Sequence, residues 1–294
     1  MKVVVTGASG LIGSALVPHL RRGGHEVVTL VRRAPRTPSE AHWDPSRAAI
    51  DRAALEGVEA AVHLAGAGVG DHRWTDEYRR TILRSRVEGT ELLARTIAAL
   101  DPLPRVLVSA SGIDHYPDTD DEVIEESGRG TGFLADVTQA WEDATSPAHD
   151  AGIGVARIRS GVVLARRGGM MRRVRPLVLA GLAGPLGSGQ QWWSWITLTD
   201  HVRAVTRLLD GDLVGPVNLS APEPAHQRDV MRALASAAHR PAVLPVPAFA
   251  VRLALGGFAE AVLGSHRVLP RRLLDAGFTF QHANIRAAAD YVMG

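Results

Sequence analysis

Glycines at 7, 10 and 13 carry the plainest chemical signal in this chain. They follow Val3-Val4-Val5-Thr6 directly and precede an apolar-periodic stretch from Leu11, so they read as strand, tight turn and helix start. Such a turn lets a pyrophosphate approach the backbone, and the amides of the helix start face its charge. The spacing predicts a dinucleotide site contacted by Gly7, Ser9, Gly10, Leu11, Ile12 and Gly13. Ala65, Gly66 and Ser109, at the ends of two further predicted strands, complete the expected contacts.

The end of the second predicted strand reads Val31-Arg32-Arg33. A site for NAD usually places an acid there, bonded to the ribose hydroxyls, and that acid would repel a 2′-phosphate. Two guanidinium groups would instead bind it. The expected cofactor is therefore NADP(H), with Arg32 the stronger candidate and Arg33 the second.

The elements that must position these residues alternate regularly. Helices are expected over 11–22, 76–100 and 133–150, and strands over 26–31, 60–65, 105–109, 154–159 and 216–220. That alternation predicts an α/β fold, a Rossmann doubly wound parallel sheet with right-handed crossovers. After Leu164 the texture becomes rich in Gly, Pro and Arg, and from Pro222 it is helical. Residues 1–165 and 195–221 are assigned to the NADP-binding Rossmann domain, and 166–194 and 222–294 to a small, mostly helical substrate-binding lobe.

Composition narrows the field. The chain has 294 residues, 46% hydrophobic and 22% charged, enough for a sizeable core. It has no cysteine, which excludes disulfides, thiolate metal sites and cysteine nucleophiles. The histidines, His201 and His226 among them, show no metal-ligand spacing. A formal charge of +2 with no arginine–aromatic array gives no sign of nucleic-acid binding. The longest apolar stretch, 242–264, is broken by Pro245, Pro247, Arg252 and Glu260, so no membrane span is expected. A strand starting at residue 2 leaves no room for a signal peptide, and a cytoplasmic monomer or homodimer with a small-molecule substrate is expected.

These residues resemble the extended short-chain dehydrogenase/reductase superfamily. More closely, they resemble its atypical "epimerase family" branch with a C-terminal domain of unknown function. The resemblance rests on 6–13, His63-Leu64-Ala65-Gly66, Arg73-Trp74, Ser85-Arg86-Val87, Ser109-Ala110-Ser111 and Phe133-Leu134-Ala135. Its more specific part is distal: Gly187-Ser188-Gly189-Gln190-Gln191, Ser194-Trp195-Ile196, Pro270 and Gly277-Phe278. In the superfamily a Tyr-x-x-x-Lys pair handles the proton. Lys2 is the only lysine here, so no such pair exists, and the branch lacks it too. The helix that would carry it shows an apolar face of Phe133, Val137, Ala140, Trp141 and Ala144, expected to pack as core without a titratable group.

Replacements are sought in the loop after the fourth predicted strand, Ser111-Gly112-Ile113-Asp114-His115-Tyr116-Pro117. Branch members typically carry Gly-Tyr-Tyr-Gly at 114–117; this chain keeps only Tyr116. Tyr116 is the expected proton donor, assisted by Ser111 or His115. Arg86, on the inward face of the long helix, either binds a substrate carboxylate or phosphate or pairs with a core acid such as Asp200. Trp192, Trp193 and Trp195 are read as pocket walls or as core. The leading expectation is an NADP(H)-dependent oxidoreductase of a carbonyl, imine or activated alkene. The alternatives are an epimerase or dehydratase that cycles a bound cofactor, and a non-catalytic NADP(H)-binding or sensing protein.

Overall fold

The first strand, β1 (Lys2–Thr6), is valine throughout its centre. Its period-2 geometry sends Val3 and Val5 to one face and Val4 to the other. Both faces are covered, and all three valines are fully enclosed. In the computed structural model, which describes residues 1–242 and 244–294, this strand sits inside an eight-stranded sheet.

The first half of the chain builds most of that sheet. After β1 come α1 (Leu11–Arg22), β2 (Glu26–Val31), β3 (Glu40–Asp44), β4 (Ala49–Ile50) and β5 (Ala60–His63). Then follow α2 (Asp76–Ile97), β6 (Val106–Gly112), β7 (Thr119–Val123), α3 (Phe133–Asp143), α4 (Ser146–Asp150) and β8 (Gly154–Ser160). The second half supplies β9 (Val162–Leu164), α5 (Met171–Leu179), β10 (Trp192–Trp193), β11 (Trp195–Thr197), α6 (Leu198–Asp210) and β12 (Gly215–Leu219). It closes with β13 (Ala225–His226), α7 (Gln227–Ala237), α8 (Ala248–Leu255), α9 (Ala259–Leu263), β14 (His266–Val268), α10 (Arg271–Asp275) and α11 (Ile285–Met293).

The strand order is β12-β8-β6-β5-β1-β2-β3-β4, parallel except for the β3–β4 pair. From β1 the chain runs outward to β2 on one side and later returns to β5 on the other. The gap beyond β1 and β5 is thus a topological switch point, where open α/β sheets bind ligands. One core holds Leu16 and Leu20 of α1 and Val205 and Leu209 of α6 against Val3, Val62 and Val108. The opposite face packs Leu93 and Ile97 of α2 against Val4, Ala61 and Leu107. The expected doubly wound Rossmann sheet is present.

A separate core belongs to the distal segments, where Met171, Val178, Trp193, Trp195, Val230, Leu234, Ala288 and Val292 cluster. Trp195 is fully enclosed there and Trp193 nearly so, which makes both core rather than pocket wall. Trp192 lies against His226 and under the Arg267 guanidinium.

Several boundaries differ from expectation. The helix expected over 133–150 breaks into α3 and α4, because Thr145 turns its hydroxyl back to the Glu142 carbonyl at 2.6 Å and Pro147 follows. Strand β6 runs three residues further than expected, to Gly112, by pairing with β8 as far as Ser160. Helix α6 starts at Leu198, capped by Thr197, whose hydroxyl accepts the Asp200 amide.

Candidate functional site

The glycine turn divides into two kinds of glycine. Gly7 has φ +69°, and a Cβ there would lie 2.7 Å from the Leu64 carbonyl carbon. A Cβ on Gly13 would lie 2.3 Å from the Gly7 oxygen. Both are required for the turn to nest against β5 and for α1 to start where it does. Gly10 faces outward, and a Cβ there meets nothing closer than the Gly7 oxygen at 3.3 Å. The first intrahelical bond of α1 runs from Ser14 N to Gly10 O, so the earlier amides of the turn are left without an intrahelical acceptor. No side chain caps them, and no acid occupies the first turn. An open, positively polarised helix start of this kind fits a pyrophosphate. Ser9 and Gly10 are exposed, Leu11 and Ile12 partly so, and Ala65 and exposed Gly66 border the turn from β5. Ser109 departs from expectation: it is enclosed within the sheet, and its hydroxyl has no access to a ligand.

At the tip of β2 the two arginines differ. Arg33 closes on Glu40 with two contacts, Nη1 to Oε2 at 2.8 Å and Nη2 to Oε1 at 2.5 Å. Those bonds, with the Arg36 amide, hold the Glu40 carboxyl down at about 2. Arg32 is exposed and makes no ion pair or side-chain hydrogen bond among the described residues. The nearby acid is therefore neutralised by one arginine, and the other remains open to an anion. This narrows the expectation for Arg33 from direct ligand to neutraliser.

The loop after β6 is where the structure corrects the expected chemistry. Tyr116 is almost fully buried. Its hydroxyl donates to Asn218 Oδ1 at 2.7 Å and accepts from Arg159 Nη1 at 3.0 Å. Burial pushes the phenol up to about 12, against the opposing pull of Arg159. Ser111 is also buried, and its hydroxyl donates to Glu142 Oε1 at 2.8 Å. Glu142 in turn takes Arg159 Nε at 2.8 Å and Nη2 at 2.9 Å. Neither hydroxyl is presented to a ligand, because a buried polar network takes up both. His115 is buried edge-on to the Tyr116 ring, and burial and Arg159 lower its basicity.

Glu142, Arg159 and Asn218 were not singled out in the sequence. One signal was present: Arg157 and Arg159 sit on the same side of a strand flanked by apolar residues, which calls for an acid nearby. The α3 helix is consequently not free of buried titratable groups. Val137 and Trp141 are core, as expected, but Glu142 is buried beside them. Phe133 is only partly covered and packs at 5.1 Å against the Trp74 ring, which Phe258 also approaches at 6.4 Å.

Arg86 is buried and donates from Nη1 to the Ala67 carbonyl at 2.8 Å and to the Ile82 carbonyl at 3.1 Å. Its guanidinium lies 4.7 Å above the Trp141 ring. It does not pair with Asp200, which binds Arg203 at 2.7 Å and the amides of Gln281 and His282. Ser85 accepts the Ala67 amide at 3.1 Å, and Tyr78 donates to the Gly68 carbonyl at 2.5 Å. Helix α2 thus fixes the loop that follows β5. Burial lowers Arg86 to about 10, so it remains a cation at neutral pH.

No group of three His, Cys, Asp or Glu side chains among the described residues could hold a metal ion. No described helix is long and apolar enough to cross a membrane.

A parallel sheet with a glycine turn and an open helix start at its switch point defines a dinucleotide-binding α/β protein. Residues 3–219 match the NAD dependent epimerase/dehydratase family, and the chain belongs to that family. Residues 246–292 match a C-terminal domain of unknown function, DUF1731. The chain is 42% identical over 292 residues to the epimerase family protein Mb2239 of Mycobacterium bovis, covering 98% of this chain and 96% of that one. Among solved structures, the human epimerase family protein SDR39U1, crystallised with NADPH, superposes with a TM-score of 0.93 at 32% identity, covering 100% and 99% of the two chains. A nucleoside-diphosphate sugar epimerase from Corynebacterium glutamicum gives a TM-score of 0.83 at 34% identity, over all of this chain and 58% of that one. The resemblance drawn from the sequence motifs is borne out.

Proposed function

We propose that this protein is an NADP(H)-dependent oxidoreductase acting on a carbonyl, imine or activated alkene of a small molecule. The observation that carries the reading is the division of labour at β2: Arg33 silences Glu40 while Arg32 stays open beside the glycine turn. A 2′-phosphate would meet a free guanidinium and no uncompensated acid. The NADPH bound by the human relative supports the same cofactor. When bound, the dinucleotide supplies hydride chemistry; the protein supplies orientation and polar groups. The first turn of α1 would hold the pyrophosphate, Arg32 the 2′-phosphate, and the α2-braced loop at 66–70 one side of the pocket.

We assign residues 1–165 and 195–221 to cofactor binding and 166–194 and 222–294 to substrate binding. Two arginine contacts support a cleft between them, from Arg173 to the Gly70 carbonyl at 2.7 Å and from Arg73 to the Leu253 carbonyl at 2.8 Å. Trp74, Phe133 and Phe258 form an aromatic cluster at this junction suited to walling a substrate. The name of the Corynebacterium neighbour favours a second reading, an epimerase that reduces and reoxidises one substrate without net consumption of cofactor. The deciding experiment incubates the protein with NADPH and a panel of carbonyl, imine and enone substrates and follows absorbance of the reduced dinucleotide. Net consumption supports the oxidoreductase; stereochemical inversion without consumption supports the epimerase; tight binding with neither defeats both.

A further inference from the structure

With Tyr116 and Ser111 committed to a buried network, the turn after β6 retains one carboxyl that no ion pair or hydrogen bond to another described residue takes up. Asp114 lies in a 3-10 turn at Ile113–His115, immediately beyond the end of β6. It is partly buried, and its carboxylate makes no ion pair and no hydrogen bond to another residue among those described. A Cβ built on Gly112 would sit 3.3 Å from Asp114 Oδ2 and 3.6 Å from the Thr138 methyl, so carboxylate and α3 flank the same point of backbone. Two ionisable side chains act on it: Arg86 from α2 and His266 from β14. Arg86 also packs against exposed Gly66, where a Cβ would meet its guanidinium carbon at 3.5 Å. Asp114 therefore shares the strand-end rim at which the cofactor turn opens.

We propose that Asp114 is the proton donor to the substrate, a role that rests on the oxidoreductase reading above. In the reduction of a carbonyl, the carbon gains hydride and NADPH becomes NADP⁺. The carbonyl π pair moves to oxygen, and that oxygen takes the proton of the Asp114 carboxyl. The product is an alcohol; the carboxylate left behind regains its proton from solvent. Arg86 stabilises that carboxylate between turnovers. Burial raises the carboxyl while both neighbours lower it, and the balance lies above the ordinary aspartate range. A partly desolvated carboxyl of this kind is a competent general acid.

The test compares wild type, Asp114→Asn and Asp114→Glu in NADPH consumption on one active substrate, alongside carboxyl titration of the NADP⁺ complex by carbon NMR. Asp114→Asn keeps the shape of the side chain and loses the proton. Its kcat should fall by about 10² to 10⁴ with unchanged NADPH affinity, and Asp114→Glu should recover part of the loss. The wild-type rate should decline as pH rises through the titration of Asp114, and that limb should vanish in Asp114→Asn. Turnover of Asp114→Asn at the wild-type rate, or an Asp114 signal titrating like a solvent-exposed aspartate, overturns the donor role and leaves the oxidoreductase reading standing. Failure of the wild type to consume NADPH with any substrate overturns that reading and the donor role together.

Discussion

Arg159 Nη1 donates to the Tyr116 hydroxyl at 3.0 Å, and that same hydroxyl donates its only proton to Asn218 Oδ1 at 2.7 Å. A phenol so placed has nothing left to give a substrate. Its work is to join the turn after β6, β8 and β12 inside the protein. Tyr116→Phe should therefore lower stability by about 1–3 kcal/mol, since Asn218 and Arg159 each lose a buried partner. Turnover of the folded variant should stay within an order of magnitude of wild type. Urea unfolding and initial rates on one preparation check both halves.

The Glu142–Arg159 pair anchors that network. Burial pushes the Glu142 carboxyl up, but the Arg159 hydrogen bonds and charge, with Ser111, more than offset it and hold the group below the ordinary glutamate range. Removing the acid alone, as in Glu142→Leu, leaves a buried guanidinium unpaired and should cost about 3–5 kcal/mol. The double variant Glu142→Leu/Arg159→Met should cost less than the two single changes added together. The sign with pH follows from the depressed carboxyl: its contribution is complete above the ordinary glutamate range and is lost as pH falls through the folded value. Denaturant midpoints of the four proteins measure the coupling.

Much of the fold was legible because its signals are local. The valine run, glycine turn and helix periodicity of 1–22 lie within one stretch of chain, as does the β2 tip with its two arginines. What escaped depends on distant partners. Strands of two or three residues such as β10, β11 and β13 exist only through pairing with segments far along the chain, and their sequences carry no period long enough to read. The same reason hid the site chemistry. Tyr116 meets Asn218 across 102 positions of sequence, and Ser111 meets Glu142 across 31. A hydroxyl in a loop beyond a strand end looks available until the residues that occupy it are brought in by the sheet.

Dinucleotide choice at β2 gives a signed test. Arg32→Ala should weaken NADPH by about 1.5–3 kcal/mol, the range of a hydrogen bond to a charged group, and leave NADH nearly unchanged. Arg33→Ala acts by another route: it frees Glu40, whose carboxylate then opposes the 2′-phosphate. Arg33→Ala/Glu40→Ala should therefore bind NADPH better than Arg33→Ala alone. Calorimetric titration of the four proteins with both dinucleotides decides this; equal affinity of wild type for NADPH and NADH would refute the assignment.

His201 supplies a pH effect of opposite origin to the ion pair. It is fully buried, its Nε2 is 3.0 Å from the Ser160 hydroxyl, and burial lowers it to about 4. The unfolded chain takes up this proton near pH 6.5, so stability is complete above that value and falls as pH drops toward the folded value. Between those limits the loss is about 1.4 kcal/mol per pH unit for one histidine. His201→Asn should flatten the slope of stability against pH by that amount relative to wild type. Unfolding free energies at several pH values between these limits, on both proteins, measure the difference directly.

The two kinds of glycine in the turn should separate folding from binding. Gly13 is buried, and an added methyl would lie 2.3 Å from the Gly7 oxygen and 2.7 Å from the Ala8 Cα, backbone atoms that have no room to give. Gly13→Ala should cost about 1–3 kcal/mol of stability or more, as overpacking does, and weaken cofactor binding only as a consequence of the displaced helix. Gly10 is exposed with φ −75°, a conformation any residue adopts, and its methyl would meet only the Gly7 oxygen at 3.3 Å. Gly10→Ala should therefore fold with stability within about 1 kcal/mol of wild type, yet project a methyl into the space over the first turn of α1. There it would hold the pyrophosphate off the amides, and NADPH affinity should fall at least about tenfold, or about 1.4 kcal/mol. Thermal unfolding of both variants without ligand, followed by NADPH titration, distinguishes the two glycines. Undiminished NADPH affinity in Gly10→Ala would place the phosphates somewhere other than the start of α1.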